Sequence, residues 1–150
     1  MDALRVDVLP HRPSDRFAAR YDDESDLLLL ETGISPWPHG TTLDGVLTLD
    51  LDDSRVLVHV ELTWPKAHWP TGDVELPHPD RTPRSLRLPS LSTQSLTRNP
   101  EVSILRSERI LVIKWEEVSA GTRFPISAGI TACVGDGRLT GFAVELATFE

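Results

Sequence analysis

One succession of short apolar runs occurs twice in this chain, at an offset of 83 residues. Leu27–Leu30 is answered by Ile110–Ile113, and Leu47, Leu49 and Leu51 are answered by Ile130, Ala132 and Val134. Runs this short, bounded by polar turns, have the length of strands and not of helices. Val46-Leu47-Thr48-Leu49-Asp50-Leu51 alternates, which puts its leucines on one face of a strand. In the run from Arg55 to Leu62, Val56, Val58, Val60 and Leu62 share a face while His59 and Glu61 take the other. Asp52-Asp53-Ser54 joins the two runs as a hairpin turn, and Gly135-Asp136-Gly137-Arg138 is its counterpart. The endings Val60-Glu61-Leu62 and Val144-Glu145-Leu146 match only after a one-residue slip, which a β-bulge absorbs. Repeated strand order at constant spacing predicts an internal duplication.

A lone module of three or four strands leaves one apolar face in water, and pairing two modules buries both. The expected fold is therefore all-β. Two duplicated antiparallel β modules, about residues 16–63 and 101–150, pack as a sandwich or open barrel within a single domain. Between them, residues 64–100 hold seven prolines, which exclude regular helix and central strand. Trp64, Trp69, Val74, Leu76, Leu86, Leu88 and Leu91 predict that this connection is a strap packed on the sheets and not a loose tether. Leu86 and Leu88 suit a short edge strand, and Leu91 to Thr97 one helical turn.

The segment from Arg20 to Leu62 resembles a family of small bacterial proteins of unknown function. Their pattern runs Tyr-Asp, Asp, an apolar strand, an alternating strand, then Asp-Gly-Arg-x-x-Gly and a Glu. Tyr21-Asp22, Asp26, Leu27–Leu30, Asp53, Arg55 and Glu61 stand at matching places. Gly135-Asp136-Gly137-Arg138, Gly141 and Glu145 match the closing motif more fully, although Ile104-Leu105 replaces the opening Tyr-Asp. The resemblance implies a small β-rich module and carries no chemistry, because Asp-Gly-Arg is what a tight hairpin turn needs.

Charge narrows the function classes. The chain carries −8 at pH 7, with a pI near 5.0. That disfavours nucleic acid and anionic membranes, which reward clustered Lys and Arg, and leaves a basic protein as the fitting partner. Residues 1–63 hold thirteen acidic and five basic side chains, whereas residues 64–100 hold three and five. The lone Cys133 excludes an internal disulfide and suits a reducing cytoplasm. The first residues lack the basic and apolar regions of a signal peptide. Only Lys66 and Lys114 among the 15 basic residues are not Arg, as in a GC-rich bacterial genome.

The chemical candidates are few. Trp37-Pro38-His39 and Trp64-Pro65 to His68-Trp69 are two aromatic loops. If they converge, Trp37, His39, Trp64, His68 and Trp69 form a binding site; otherwise these tryptophans pack the strap onto the sheets. No spacing among His39, His59, His68 and His78 makes a metal site, and no cofactor is implied. Cys133 lies within a strand with no basic neighbour in sequence, so it reads as structural. Ser85, Ser90, Ser92 and Ser95 lack a nucleophile elbow, and Asp22-Asp23, Asp52-Asp53 and Glu116-Glu117 read as turn residues. No catalytic residue is assigned. The first functional reading is a cytoplasmic, non-catalytic protein-binding module, monomeric or homodimeric and immunity-like, that neutralises a basic partner. The alternatives are a small-ligand binder or enzyme using a pocket between the halves, and a structural subunit of a larger assembly.

Overall fold

The computed structural model describes residues 2–91, 96 and 98–150. The chain is all-β. Among the described residues, helix is limited to short 3-10 turns at Pro13–Asp15, Lys66–His68 and Leu146–Thr148. Strand β1 (Asp7–Pro10) precedes a five-stranded antiparallel sheet made of β2 (Ala18–Asp22), β3 (Leu27–Glu31), β4 (His39–Leu43), β5 (Leu47–Leu51) and β6 (Leu57–Thr63). Its order is β2-β3-β6-β5-β4. The strap contributes β7 (His78–Pro79) and β8 (Arg84–Arg87), and β8 pairs with β1. The second sheet holds β9 (Glu101–Leu105), β10 (Ile110–Lys114), β11 (Thr122–Ser127), β12 (Ile130–Gly135) and β13 (Arg138–Glu145). Its order is β9-β10-β13-β12-β11, with β7 added in parallel beyond β11.

The strand orders of the two sheets are therefore the same. Leu27 pairs with Thr63 and Leu47 with Leu62 in sheet one; Ile110 pairs with Glu145 and Ile130 with Val144 in sheet two. Both hairpins shift register at the same offset, between Asp50 and Leu51 and between Cys133 and Val134. These registers set β13 82 residues after β6. The slip thus runs opposite to the one needed to match the endings, and Val60-Glu61-Leu62 corresponds to Phe142-Ala143-Val144. The cause is the β5–β6 turn, which is one residue longer than its counterpart. The bulge also breaks the alternation in β6. Leu57, Val60 and Leu62 join the central core, while Val56 and Val58 are buried outside it.

Leu28, Leu30, Leu47, Leu49 and Leu51 meet Leu111, Ile113, Ile130, Phe142 and Val144 in one core shared by both sheets. Each such side chain contributes about 1.5–3 kcal/mol through burial. Trp69, Leu86, Leu88 and Leu91 of the strap belong to the same core, as do Leu4 and Val6, whose segment carried no strand signal. The strap also occupies sheet edges. Ile104 N–H donates to the Pro70 carbonyl at 2.8 Å and Gly72 N–H to that of Ile104 at 3.2 Å, which covers β9. Leu96 lies along β4, its N–H donating to the Thr42 carbonyl at 2.9 Å. Between Gly72 and His78 the chain passes from the β9 edge to the β11 edge, a reach of at most about 22 Å. Laid flat, that span needs about 29 Å at ~4.8 Å per strand, so sheet two is curled. The helical turn expected at Leu91 to Thr97 falls largely outside the described residues.

Behind the β1–β8 pair sits a polar cluster. Asp15 is 1% exposed. It accepts two hydrogen bonds from the Arg12 guanidinium, at 2.6 and 2.7 Å, and one from the Ser85 hydroxyl at 2.5 Å. Arg12 also reaches Asp52 at 2.8 Å, which ties the N-terminal segment and the strap to the β5–β6 turn.

Candidate functional site

Strand register builds the outer face of sheet one as transverse rows. Ala18, Glu31, His59, Asp50 and Gly40 form one row; Arg20, Leu29, Glu61, Thr48 and Thr42 form the next. The loop after β3 folds back over these rows. Thr32 donates to the Val58 carbonyl from its N–H at 3.1 Å and from its hydroxyl at 2.8 Å. Its hydroxyl in turn accepts from Ile34 N–H, and the Ser35–Pro36 peptide is cis. Trp37 Nε1–H donates to the Ile34 carbonyl at 2.5 Å. The indole is thereby laid on the His59 ring, with centroids 4.0 Å apart and planes at 22°. Trp37 remains 43% exposed, the one large hydrophobic side chain so exposed among the described residues.

Beneath it, His59 is 7% exposed and its Nδ1 lies 3.0 Å from Asp50 Oδ2. An ionised carboxylate only accepts, so Nδ1 carries the hydrogen, and in the neutral imidazole Nε2 is then the nitrogen with the lone pair. A Cβ on Gly40 would stand 2.4 Å from Asp50 Oδ1, so glycine there leaves the carboxylate its place. Arg20 pairs with Glu31 at 2.9 Å. The Glu61 carboxylate makes no hydrogen bond or ion pair among the described residues. Leu29, Glu31, Ile34, Trp37, His59 and Glu61 line an open groove of about 320 Å³.

Sheet two supplies an internal control. In its register, the positions of Glu31, His59, Asp50 and Gly40 hold Lys114, Gly141, Cys133 and Arg123. Those of Arg20, Leu29 and Glu61 hold Ser103, Val112 and Ala143. The same strand pairing forms without the imidazole, the carboxylates or the indole. The strands therefore do not need these side chains.

The five residues expected to form a site are divided between different places. Trp37 stands over His59. His39 pairs with Leu51, which turns it toward the core side of sheet one. Trp64 and Trp69 follow the far end of β6 and are joined by Trp69 Nε1–H donating to the Trp64 carbonyl at 2.9 Å. Trp69 is 7% exposed and meets Tyr21 and Phe149 edge-on at 5.7 and 5.9 Å, packing the strap at the seam of the two sheets. His68 is exposed on the adjoining 3-10 turn.

The other candidates have structural surroundings. Cys133 is fully buried, and burial pushes its thiol up to about 12 despite the opposing pull of Arg123. Arg123 is its cross-strand partner, a basic neighbour that the linear sequence does not disclose. Asp22 and Asp52 accept backbone N–H groups in their turns, as does Glu117, whose carboxyl the Ser119 N–H holds below its ordinary range. Among the described residues, no three His, Cys, Asp or Glu side chains are grouped to hold a metal, and no helix is long and apolar enough to cross a membrane. No protein-family model matches the chain, and no curated protein matches it.

Proposed function

We propose that the protein is a non-catalytic binding module whose outer sheet-one face receives a basic protein partner, in the manner of an immunity protein. The observation that carries this reading is the exposed Trp37, held by its Nε1–H bond to the Ile34 carbonyl over the His59–Asp50 pair. An indole fixed in this way is a low-entropy anchor, and anchors of this kind dominate interface energies. The acidic excess of residues 1–63 supplies steering toward a basic partner. The matching strand orders are read as an internal duplication in which only the first module carries the binding constellation. Cytoplasmic action suits the single reduced thiol. A small-ligand pocket between the halves has less support, because core side chains of both sheets fill that space. The structural-subunit reading has no specific observation in its favour.

The test is affinity capture from the source cells, with wild type, Trp37→Ala and Glu31→Gln/Glu61→Gln as baits of verified fold. We expect one basic protein on the wild type, at least tenfold less of it on either variant, and its release by raised salt. Equal capture by all three baits would remove this face from the function.

A further inference from the structure

We propose that the groove beneath Trp37 takes one arginine side chain of the partner, its guanidinium held between Glu61 and the Nε2 lone pair of His59. This rests on the binding reading of the same face and adds the chemistry of the recognised group.

The acceptor inventory carries the assignment. Asp50 takes the Nδ1–H, so that in the neutral imidazole Nε2 is an acceptor, in a side chain more than nine-tenths buried that lines the groove. Glu61 adds two carboxylate oxygens with no partner among the described residues. The groove thus offers a neutral acceptor of fixed direction and a charged one that is free to turn toward a ligand. A guanidinium presents five N–H donors in a rigid plane and no acceptor, which satisfies both at once. An ammonium is a compact, strongly hydrated point charge that gains less from a fixed neutral acceptor. The walls suit the rest of the side chain, since Leu29 and Ile34 are apolar and the indole of Trp37 borders the groove. Within the groove itself the Arg20 guanidinium already pairs with Glu31, which leaves Glu61 as the open carboxylate.

The probe is a blocked tripeptide, Gly-Arg-Gly, compared with Gly-Lys-Gly and with Gly-citrulline-Gly, which keeps the shape and loses the charge. Binding is followed by the NMR shifts of the Trp37 indole N–H and of the His59 and Glu61 amides. We expect saturable millimolar binding of the arginine peptide, about threefold or more tighter than lysine and at least tenfold tighter than citrulline. Glu61→Gln should weaken it about tenfold, and His59→Phe, which keeps the stack but has no lone pair, should erase the preference for arginine over lysine. Equal binding of lysine and arginine by wild type would overturn the assignment, as would shifts spread over the acidic turns at Asp22–Asp26 and Asp52-Asp53. Where the peptide fails but capture of a protein still depends on Trp37, the arginine assignment falls and the binding reading stands. If both fail, both fall.

Discussion

Two glycines at related places show how differently one atom can matter. A Cβ on Gly141 would lie 2.5 Å from the Ile113 carbonyl oxygen and 3.1 Å from Lys114 Cα, both backbone atoms of β10. On Gly40 it would meet chiefly the Asp50 carboxylate, a side chain able to turn away. Gly141→Ala should therefore cost about 2–4 kcal/mol in urea unfolding, while Gly40→Ala should cost about 1 kcal/mol. The second variant should instead disturb the site, seen as loss of the hydrogen-bonded His59 Nδ1–H signal in NMR spectra. Gly141 occupies the place in sheet two that His59 holds in sheet one, so the close approach to β10 leaves no side chain there to match the imidazole. Reading the site from sequence stopped at this scale. Trp37 and His59 each stood out, but their alliance with Asp50 depends on the register shift beside Leu51, and that shift leaves no residue signature. The Trp-Pro pairs at 37 and 64 look alike in one dimension. In the fold, β6 carries the chain roughly 13 Å from His59 to Thr63, away from Trp37.

At the scale of elements, the strands legible in advance were those whose alternation or apolar run admits one reading: β3, β5, β6, β10 and β12. The strands β2 and β4, Ala18-Ala19-Arg20-Tyr21-Asp22 and His39-Gly40-Thr41-Thr42-Leu43, flank sheet one and are too mixed to announce themselves. The N-terminal segment owes its order to partners distant in sequence, above all the Arg12–Asp15–Ser85 cluster. Replacing Arg12 leaves a buried carboxylate with one hydroxyl for company. Arg12→Met should cost about 3 kcal/mol at pH 7, by urea unfolding of both proteins. Burial raises the Asp52 carboxyl, but Arg12 and the Val56 and Ser54 N–H groups together outweigh it and leave it below its ordinary value. A lowered folded pKa means that Asp52 stabilises fully above the usual carboxylate range and ceases to do so as pH falls through the lowered value. The gap between wild type and Arg12→Met should accordingly narrow as pH falls below the usual carboxylate range.

Taken whole, the molecule has one core built from both sheets, so neither half closes without the other. Calorimetry should show a single transition with equal calorimetric and van't Hoff enthalpies; two separable transitions would mean that the halves are independent. If the duplication reading is right, the chain holds within itself the contact that a single module makes by dimerising.

The strap's placement has a consequence for synthesis. Leu96, which covers β4, and all of β9 to β13 lie later in the chain than the surface they cover. A ribosome delivers residues 1–63 first, with Leu28, Leu30, Leu47 and Leu49 open to water and the outer edge of β4 uncovered. Until the second sheet has emerged, the nascent first half exposes apolar surface and a bare strand edge, the features that chaperones bind and that seed aggregation, and this exposure lasts as long as the translation of everything from the strap onward.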